Sequence, residues 1–364
     1  MKLLKSVNKI AIILPYKEIY SENFSGAASI WVKDYFKKSI LSNSTYIYGS
    51  LDKGLKPITK NFTNLNISDY SFSKTKNYIK KFYIDHLKKD FDIIEIHNRP
   101  EYLNFLIGKK IKSKLIFFFH NNPQDIRGSK TVKERINILE KTDKIFFVSL
   151  WTKKKFFENL PFSNKSNCEI LYPSMSKIKK FNSNKKKQIV FTGKLNSSKG
   201  YDLFGKAIIK ILDKHKDWSA IVAGNEPREK YKFKHKRLKI YPWLPHKKIL
   251  QIYNDSSISV VPSRWEEPFG RTALESSSRG CATIISNRGG LSETTDYCYV
   301  LDSLNSKSLY EALKKLINNE NLRKKLQTQG FKNVKHTIRA NTQLIDSARE
   351  KLIHNFNLNF IKNK

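Results

Sequence analysis

Short apolar runs alternate along the chain with stretches whose apolar residues recur every three or four positions. Residues 10–14, 46–48, 93–96, 115–119, 145–148 and 170–172 are apolar runs of strand length and predict β-strands. Between them, Tyr78, Ile79, Phe82, Tyr83, His86 and Leu87 fall on one face of a helix. Buried strands alternating with helices predict a parallel sheet covered on both faces. Residues 174–187 are nearly all Lys, Ser and Asn, which predicts a linker. The alternation then resumes: strands over 189–191, 220–223, 258–261 and 283–285, and a helix face of Leu203, Phe204, Ala207, Ile208, Ile211 and Leu212. Helical patterns close the chain, over 309–316 and from 322 to about 356. The expected fold is α/β: two Rossmann-like, doubly wound domains over 1–175 and 186–339 that face a central cleft. A C-terminal helix at about 340–364 can pack back on the first domain.

Composition leaves this picture intact. At 364 residues the length suits two domains, given roughly 150 residues per domain. With 39% hydrophobic residues, including 23 Phe and 17 Tyr, there is enough apolar material for two cores, so disorder is not expected. The three cysteines, Cys168, Cys281 and Cys298, form neither a disulfide framework nor a zinc pattern and fit a reducing compartment. The basic start followed by the run 10–14 is cut by Pro15, too short for a membrane helix and without a small-residue cleavage site, so it reads as a first strand. The expected location is cytoplasmic, with peripheral membrane contact left open.

The formal net charge of +37 adds an electrostatic reading but does not fix it. The lysines are spread over the whole chain. A solvated basic surface, binding to an anionic membrane face, or nucleic-acid binding would each follow from such a field. No RNA-binding aromatic motif, zinc finger or recognition helix favours the last, so nucleic acid is not an expected partner.

Four segments carry candidate chemistry. S-R-W-E-E-P-F-G-R-T-A-L-E, residues 263–275, follows a strand, turns at Pro268 and Gly270, and enters a helix at Arg271. Such a strand–loop–helix start binds anions, because the first helical amides lack intrahelical partners and carry the positive dipole end. Glu267 and Glu275 would repel a diphosphate but could accept hydrogen bonds from sugar hydroxyls. Arg271 and Glu275, four apart, could equally form a surface pair. The second segment, F-T-G-K-L-N-S-S-K-G over 191–200, also joins a strand to a helix. It places Gly193, Lys194, Lys199 and Gly200 without the spacing of a Walker loop. The third, I-V-A-G-N-E over 221–226, ends a strand at Gly224 before Asn225. The fourth, S-N-R-G-G-L-S-E over 286–293, turns at Gly289 and Gly290. Each of the last two could be an ordinary tight turn.

Together these segments resemble glycosyltransferase family four (glycosyl transferases group 1) of the GT-B fold. Two Glu with seven residues between them are met by Glu267 and Glu275. A glycine–basic–hydrophobic segment followed by Lys-Gly is met by Gly193-Lys194-Leu195 and Lys199-Gly200. Ala223-Gly224-Asn225 and Gly289-Gly290 match in order and spacing, and the resemblance is strong from Ile189 to Glu293 and weaker over 1–175. It implies a retaining, metal-independent hexosyltransferase in cell-surface polysaccharide or lipopolysaccharide synthesis. Its nucleotide-sugar would be a substrate rather than a cofactor, and its acceptor a glycan or lipid-linked.

The resemblance also lends roles to residues. Lys194 and Lys199 would bind the donor diphosphate, and Glu275 the ribose hydroxyls. Glu267, with the backbone of Phe269 and Gly270, would hold the transferred sugar, while Trp243 and Leu244 would lie near the base. Asn225 and Arg271 complete the donor set, and His120, Glu267 and Lys199 form the catalytic set. Gly26, in Ser25-Gly26-Ala27-Ala28, would form the small-residue loop after the first strand. His120 follows the strand at 115–119, and His97 is a second candidate for the histidine that ends a central strand. Lys194 departs from the Arg more common in the family and lacks its bidentate fork. Rival readings are a nucleotide-sugar epimerase, a phosphorylase, or a nucleotide-sugar-binding protein of the same fold without turnover.

Overall fold

The computed structural model describes residues 8–67, 73–229 and 231–362, and the side chains up to 354. Residues 1–7 of the basic start noted above lie outside the described residues. The chain divides into two compact units, 1–172 with 338–364, and 173–337.

The first unit holds strands β1 (Ile10–Ile13), β2 (Thr45–Gly49), β3 (Phe62–Asn64), β4 (Ile93–His97), β5 (Lys114–Phe119), β6 (Lys144–Phe147) and β7 (Cys168–Ile170). They form one sheet in the order β3-β2-β1-β4-β5-β6-β7, every pair parallel. Helices α1 (Ala27–Phe36), α2 (Lys74–Lys89), α3 (Pro100–Gly108), α4 (Val132–Lys141) and α5 (Leu150–Phe157) connect them. The central strands are apolar on both faces because helices cover both. Their core is rich in aromatics, with Tyr48, Phe82, Phe91, Phe117, Phe119, Phe147 and Phe156 packed together. Ordinary capping sets the helix starts: Thr131 and Glu134 form a capping box at α4, and Ser149 accepts from the Thr152 amide at α5.

The second unit repeats the plan. Strands β8 (Lys186–Thr192), β9 (Ser219–Ala223), β10 (Leu238–Tyr241), β11 (Ser256–Val261), β12 (Ala282–Ile285) and β13 (Cys298–Val300) form a parallel sheet in the order β10-β9-β8-β11-β12-β13. Helices α6 (Tyr201–Lys214), α7 (His246–Asp255), α8 (Arg271–Ser278), α9 (Ser306–Asn318) and α10 (Glu320–Lys332) belong to it. The buried face of α6 is the apolar set read from sequence, and it packs with Leu309, Leu313 and Leu316 of α9. Strand order reverses at β1/β4 in one unit and β8/β11 in the other. In doubly wound sheets such switch points are where the loops beyond the carboxyl ends of strands separate to receive a ligand.

The last helix, α11 (Ile338–Lys362), follows the second unit in sequence but clusters with the first. Asn341 donates to the Tyr172 carbonyl, and Asp346 accepts from the Ser39 hydroxyl at 2.6 Å and the Ile40 amide at 3.0 Å. The cysteines are free. Among the described residues no helix is long and apolar enough to cross a membrane.

Candidate functional site

In the second unit the four segments singled out in the sequence all lie beyond the carboxyl ends of β8, β9, β11 and β12, and their backbones interlock. Asn196 caps the turn Ser197–Lys199, its Oδ1 accepting from the Lys199 amide at 3.0 Å and the Ser198 hydroxyl at 2.9 Å. Gly200 then adopts φ +71, and a Cβ there would stand 2.0 Å from the Pro262 carbonyl oxygen, so only glycine fits. The Arg264 and Trp265 amides both donate to the Ser198 carbonyl, at 2.9 and 3.0 Å. The Arg264 guanidinium also donates to the Ser197 carbonyl at 2.6 Å and grips both oxygens of Asp202, at 2.6 and 2.8 Å. The loop after β8 is thereby tied to the loop after β11. Gly224 lies against Gly193, where an added Cβ would come 1.8 Å from the Gly193 oxygen. Beyond β12, the Gly290 amide donates to the Glu267 carbonyl at 2.6 Å.

This framework brings Lys199 and Glu267 together. Lys199 Nζ donates to Glu267 Oε1 at 2.6 Å and sits 4.3 Å from the centre of the Trp265 ring. Their side chains are 25% and 10% exposed, so the pair is partly desolvated yet reachable. A cation over an indole face gains about 0.5–2 kcal/mol, depending on desolvation, which favours one rotamer for a side chain that is otherwise floppy. Lys194 is exposed, with no hydrogen bond or ion pair among the described residues. Gly270 caps the start of α8, and the Phe269 side chain is buried against His336, ring centres 6.1 Å apart.

Glu275 is buried one turn into α8. Arg271 Nε donates to its Oε1 at 2.7 Å and His246 Nε2 lies 2.9 Å from the same oxygen. The i,i+4 pair read from sequence therefore exists, but inside the protein, with both side chains at most 14% exposed. Burial pushes the Glu275 carboxyl up. The His246 hydrogen bond and the Arg271 charge outweigh it and hold the group below the usual carboxylate range. Asn225 and Trp243 are exposed and Leu244 is half-buried. Next to Asn225, the buried Glu226 is gripped by Arg228 at 2.7 Å through two nitrogens.

In the first unit, Gly26 is the N-cap of α1, and the space a Cβ would need belongs to Glu18, whose Oε1 would be 2.3 Å away. That oxygen accepts from the Ser29 amide at 3.1 Å, so the chain's own carboxylate occupies the first turn of α1. Burial raises the Glu18 carboxyl although the Ser29 and Ala28 amides pull the other way. His120 and His97 are neighbours: His97 Nδ1 lies 2.9 Å from His120 Nε2, and Trp31 stands edge-on to the His120 ring at 4.6 Å. Burial pushes His120 down to about 3, and burial with the nearby His120 and Arg349 holds His97 well below its ordinary value, so both rings are neutral.

Sequence reasoning missed His246, Arg264, Trp265, Asp202 and Glu18 as parts of these clusters. Arg264 and Trp265 stood inside the quoted segment at 263–275. The signal for His246 was its position at the start of a helix after Pro245. Glu18 gave no signal, since its partner amides, of Ala28 and Ser29, open α1 further along the chain and carry no side-chain pattern that points back to it.

Comparison with known proteins bears on the same residues. Residues 175–333 match the family model "Glycosyl transferases group 1". A protein of Bacillus subtilis (strain 168) that bears the provisional glycosyltransferase name YtcC is 25% identical over 280 residues, 67% of this chain and 68% of that protein. The lipopolysaccharide core biosynthesis mannosyltransferase LpcC of Rhizobium leguminosarum bv. viciae is 32% identical over 113 residues, 28% of this chain and 31% of that protein. Among solved structures, Anabaena Alr3699/HepE in complex with UDP-glucose superposes with a TM-score of 0.74 at 13% identity, covering 94% of this chain and 99% of that one. Residues 175–333, which hold the interlocked loops of the second unit, match the glycosyl transferases group 1, and the chain has the GT-B fold.

Proposed function

We propose that this chain is a retaining, metal-independent hexosyltransferase of glycosyltransferase family four. It would move a sugar from a nucleotide-sugar to a glycan or lipid-linked acceptor in cell-surface polysaccharide or lipopolysaccharide synthesis. The observation that carries the reading is the Lys199–Glu267 pair over Trp265, set by stitched loops at the carboxyl ends of parallel strands. A cation beside a sugar-sized acceptor of hydrogen bonds suits a diphosphate joined to a hexose.

In this reading Lys199, Lys194 and the start of α8 at Gly270 and Arg271 neutralise the diphosphate. Glu275 holds ribose hydroxyls. Glu267, with the Phe269 and Gly270 backbone, holds the transferred sugar. Trp243, Leu244 and Asn225 border the nucleoside; Gly26 and His120, in the first unit, are kept as candidate site residues on the resemblance alone. The bond from the anomeric carbon to the phosphate oxygen breaks as the acceptor oxygen bonds to the same face, and the leaving phosphate takes the acceptor's proton. The protein's part is to position and to stabilise growing phosphate charge. In this reading lysines rather than a metal supply that charge.

The test is a panel of UDP-, GDP- and ADP-sugars. One sugar nucleotide should raise the melting temperature and give transfer, with the anomeric configuration retained by NMR and activity unchanged in excess EDTA. Loss in EDTA with recovery on Mn²⁺ or Mg²⁺ would remove the metal-independent part. Binding without turnover for every acceptor class, or an epimerised donor without acceptor, would replace the transferase by one of its rivals.

The two glutamates should separate in the same assays. Glu275→Ala should weaken the sugar nucleotide and the free nucleoside diphosphate alike. Glu267→Ala should weaken the sugar nucleotide and spare the free diphosphate. Equal effects on the free diphosphate would refute this division of labour.

A membrane-facing role is supported by α2. Its outer face carries Ile84 and Leu87, 57% and 66% exposed, among exposed Lys76, Lys80, Lys81 and Lys88; Leu87, grouped with the apolar face in the sequence reading, thus lies outside the buried set Tyr78, Ile79, Phe82 and His86. Apolar residues ringed by lysines fit an anionic lipid surface, where each basic residue contributes about 1 kcal/mol. Co-sedimentation with anionic vesicles should be strong at low salt, fall as salt rises, and weaken at every salt concentration in Ile84→Ser/Leu87→Ser. Equal binding to neutral vesicles would refute it.

A further inference from the structure

A line of buried polar side chains runs through the first unit from His120 to α11. His97, fully buried at the end of β4, has Nδ1 2.9 Å from His120 Nε2 and Nε2 3.5 Å from the Tyr35 hydroxyl. Tyr35, on α1, donates to Glu95 Oε2 at 3.1 Å. Glu95 Oε1 accepts from Arg349 Nε at 2.6 Å. Arg349 Nη1 donates to Ser39 at 3.2 Å and to Asp346 at 3.1 Å. Glu95 and Arg349 are both 0% exposed, so this is a charge pair inside the unit.

The charges at one end fix the direction of every proton up to the other. Tyr35 has one hydroxyl proton, and the carboxylate of Glu95 is both the stronger and the nearer acceptor. The phenol oxygen therefore turns a lone pair toward His97, whose Nε2 must carry the hydrogen. A neutral imidazole has one N–H, so His97 Nδ1 is an acceptor. His120 must then donate to it from Nε2, which leaves His120 Nδ1 without a proton. The rings are also held in place: His97 lies flat on Phe118, centres 4.4 Å apart and planes 3° apart, and Trp31 stands at 84° to His120.

We infer that Arg349, Glu95, Tyr35 and His97 lock His120 into its Nε2–H tautomer, so that its Nδ1 is a fixed hydrogen-bond acceptor for a hydroxyl group. His97 and Tyr35 are positioning residues that act through His120. A lone pair at Nδ1 favours a hydroxyl donor and disfavours an anionic oxygen, so this position takes a sugar or acceptor hydroxyl and not a phosphate. That last assignment rests on the proposed glycosyl transfer, whereas the tautomer does not.

The test is long-range ¹H–¹⁵N correlation NMR of the full chain labelled with ¹⁵N-histidine near pH 7. The sequence has eight histidines, and the His120 signals are those lost in His120→Gln. If that variant fails to fold, the NOE to the Trp31 indole identifies them. His120 should show one protonated nitrogen, Nε2, and an unprotonated Nδ1. Tyr35→Phe should shift both rings toward a tautomer mixture. Finding the His120 proton on Nδ1 in the native protein would overturn the inference whatever the variants do. So would a folded Tyr35→Phe protein with both tautomers unchanged. Neither readout needs activity, so failure of the transferase reading and failure of the lock are told apart: the first shows in the donor panel, the second in the spectrum.

Discussion

Lys199→Ala is expected to lower kcat by about 10- to 100-fold or more, beyond any loss of donor binding. A charge-assisted hydrogen bond contributes roughly 1.5–3 kcal/mol, and each 1.36 kcal/mol of lost transition-state stabilisation is about tenfold in rate. Phosphate charge grows as the glycosidic bond breaks, so part of the loss falls on the transition state alone. The structure sharpens this beyond a count of lysines. The ammonium is held at 2.6 Å by Glu267 and lies over Trp265, so removing it also strips Glu267, only 10% exposed, of its counter-charge. Glu267→Gln, which keeps the shape but weakens the grip on Lys199, should therefore be milder than Lys199→Ala. Lys194, exposed and without a partner among the described residues, depends on the ligand to order it. Lys194→Arg should keep most activity and Lys194→Ala should not. Near-normal kcat and KM in a folded Lys199→Ala protein would mean that this lysine is one of the many solvated ones, and the donor site would have to be sought elsewhere.

What could be read from sequence follows from where periodicity is strong. The central strands β1, β4, β5, β8, β11 and β12 each hold a buried stretch rich in apolar residues, so they stand out as runs. Three of the edge strands do not: β10 is Leu-Lys-Ile-Tyr with its last three residues exposed, β3 is half-exposed, and β13 carries an exposed Val300. An edge strand has one neighbour and often one wet face, so its composition resembles that of a loop. The helical pattern from 322 to 356 hid a break over 333–337, between α10 and α11. The residues proposed for the donor side were visible because tight turns demand glycines at fixed offsets, as Gly200 shows against Pro262. The clusters built by long-range contacts were not. Glu95 sits in Ile-Ile-Glu-Ile-His, a charge in an otherwise apolar strand, which signals a buried partner but does not name one. The partner, Arg349, lies 254 positions away on a helix past the whole second unit.

That separation makes Arg349→Met the substitution with the largest expected effect on stability. Breaking a buried ion pair by removing one member typically costs about 3–5 kcal/mol, because the remaining charge keeps its desolvation penalty and loses its compensation. Here the remaining charge is Glu95, 0% exposed in the central strand β4 with the Tyr35 hydroxyl as its other hydrogen bond. Asp346 would keep Ser39 and the Ile40 amide but lose its cation. Against a domain stability of about 5–15 kcal/mol this is a large fraction. Hydrogen exchange at the β4 and α11 amides should therefore accelerate by two to three orders of magnitude, with the sheet of the second unit unaffected. A two-unit chain need not unfold in one step, so exchange is a better readout than a single melting temperature. Adding Glu95→Leu should recover much of the loss, because apolar replacement of both members removes the stranded charge as well as the pair. If instead Arg349→Met slowed or barely changed exchange at β4, or Glu95→Leu worsened it, α11 would be fastened by apolar packing and the Asn341 and Asp346 hydrogen bonds, and the Glu95–Arg349 pair would have no part in returning the end of the chain to the first unit.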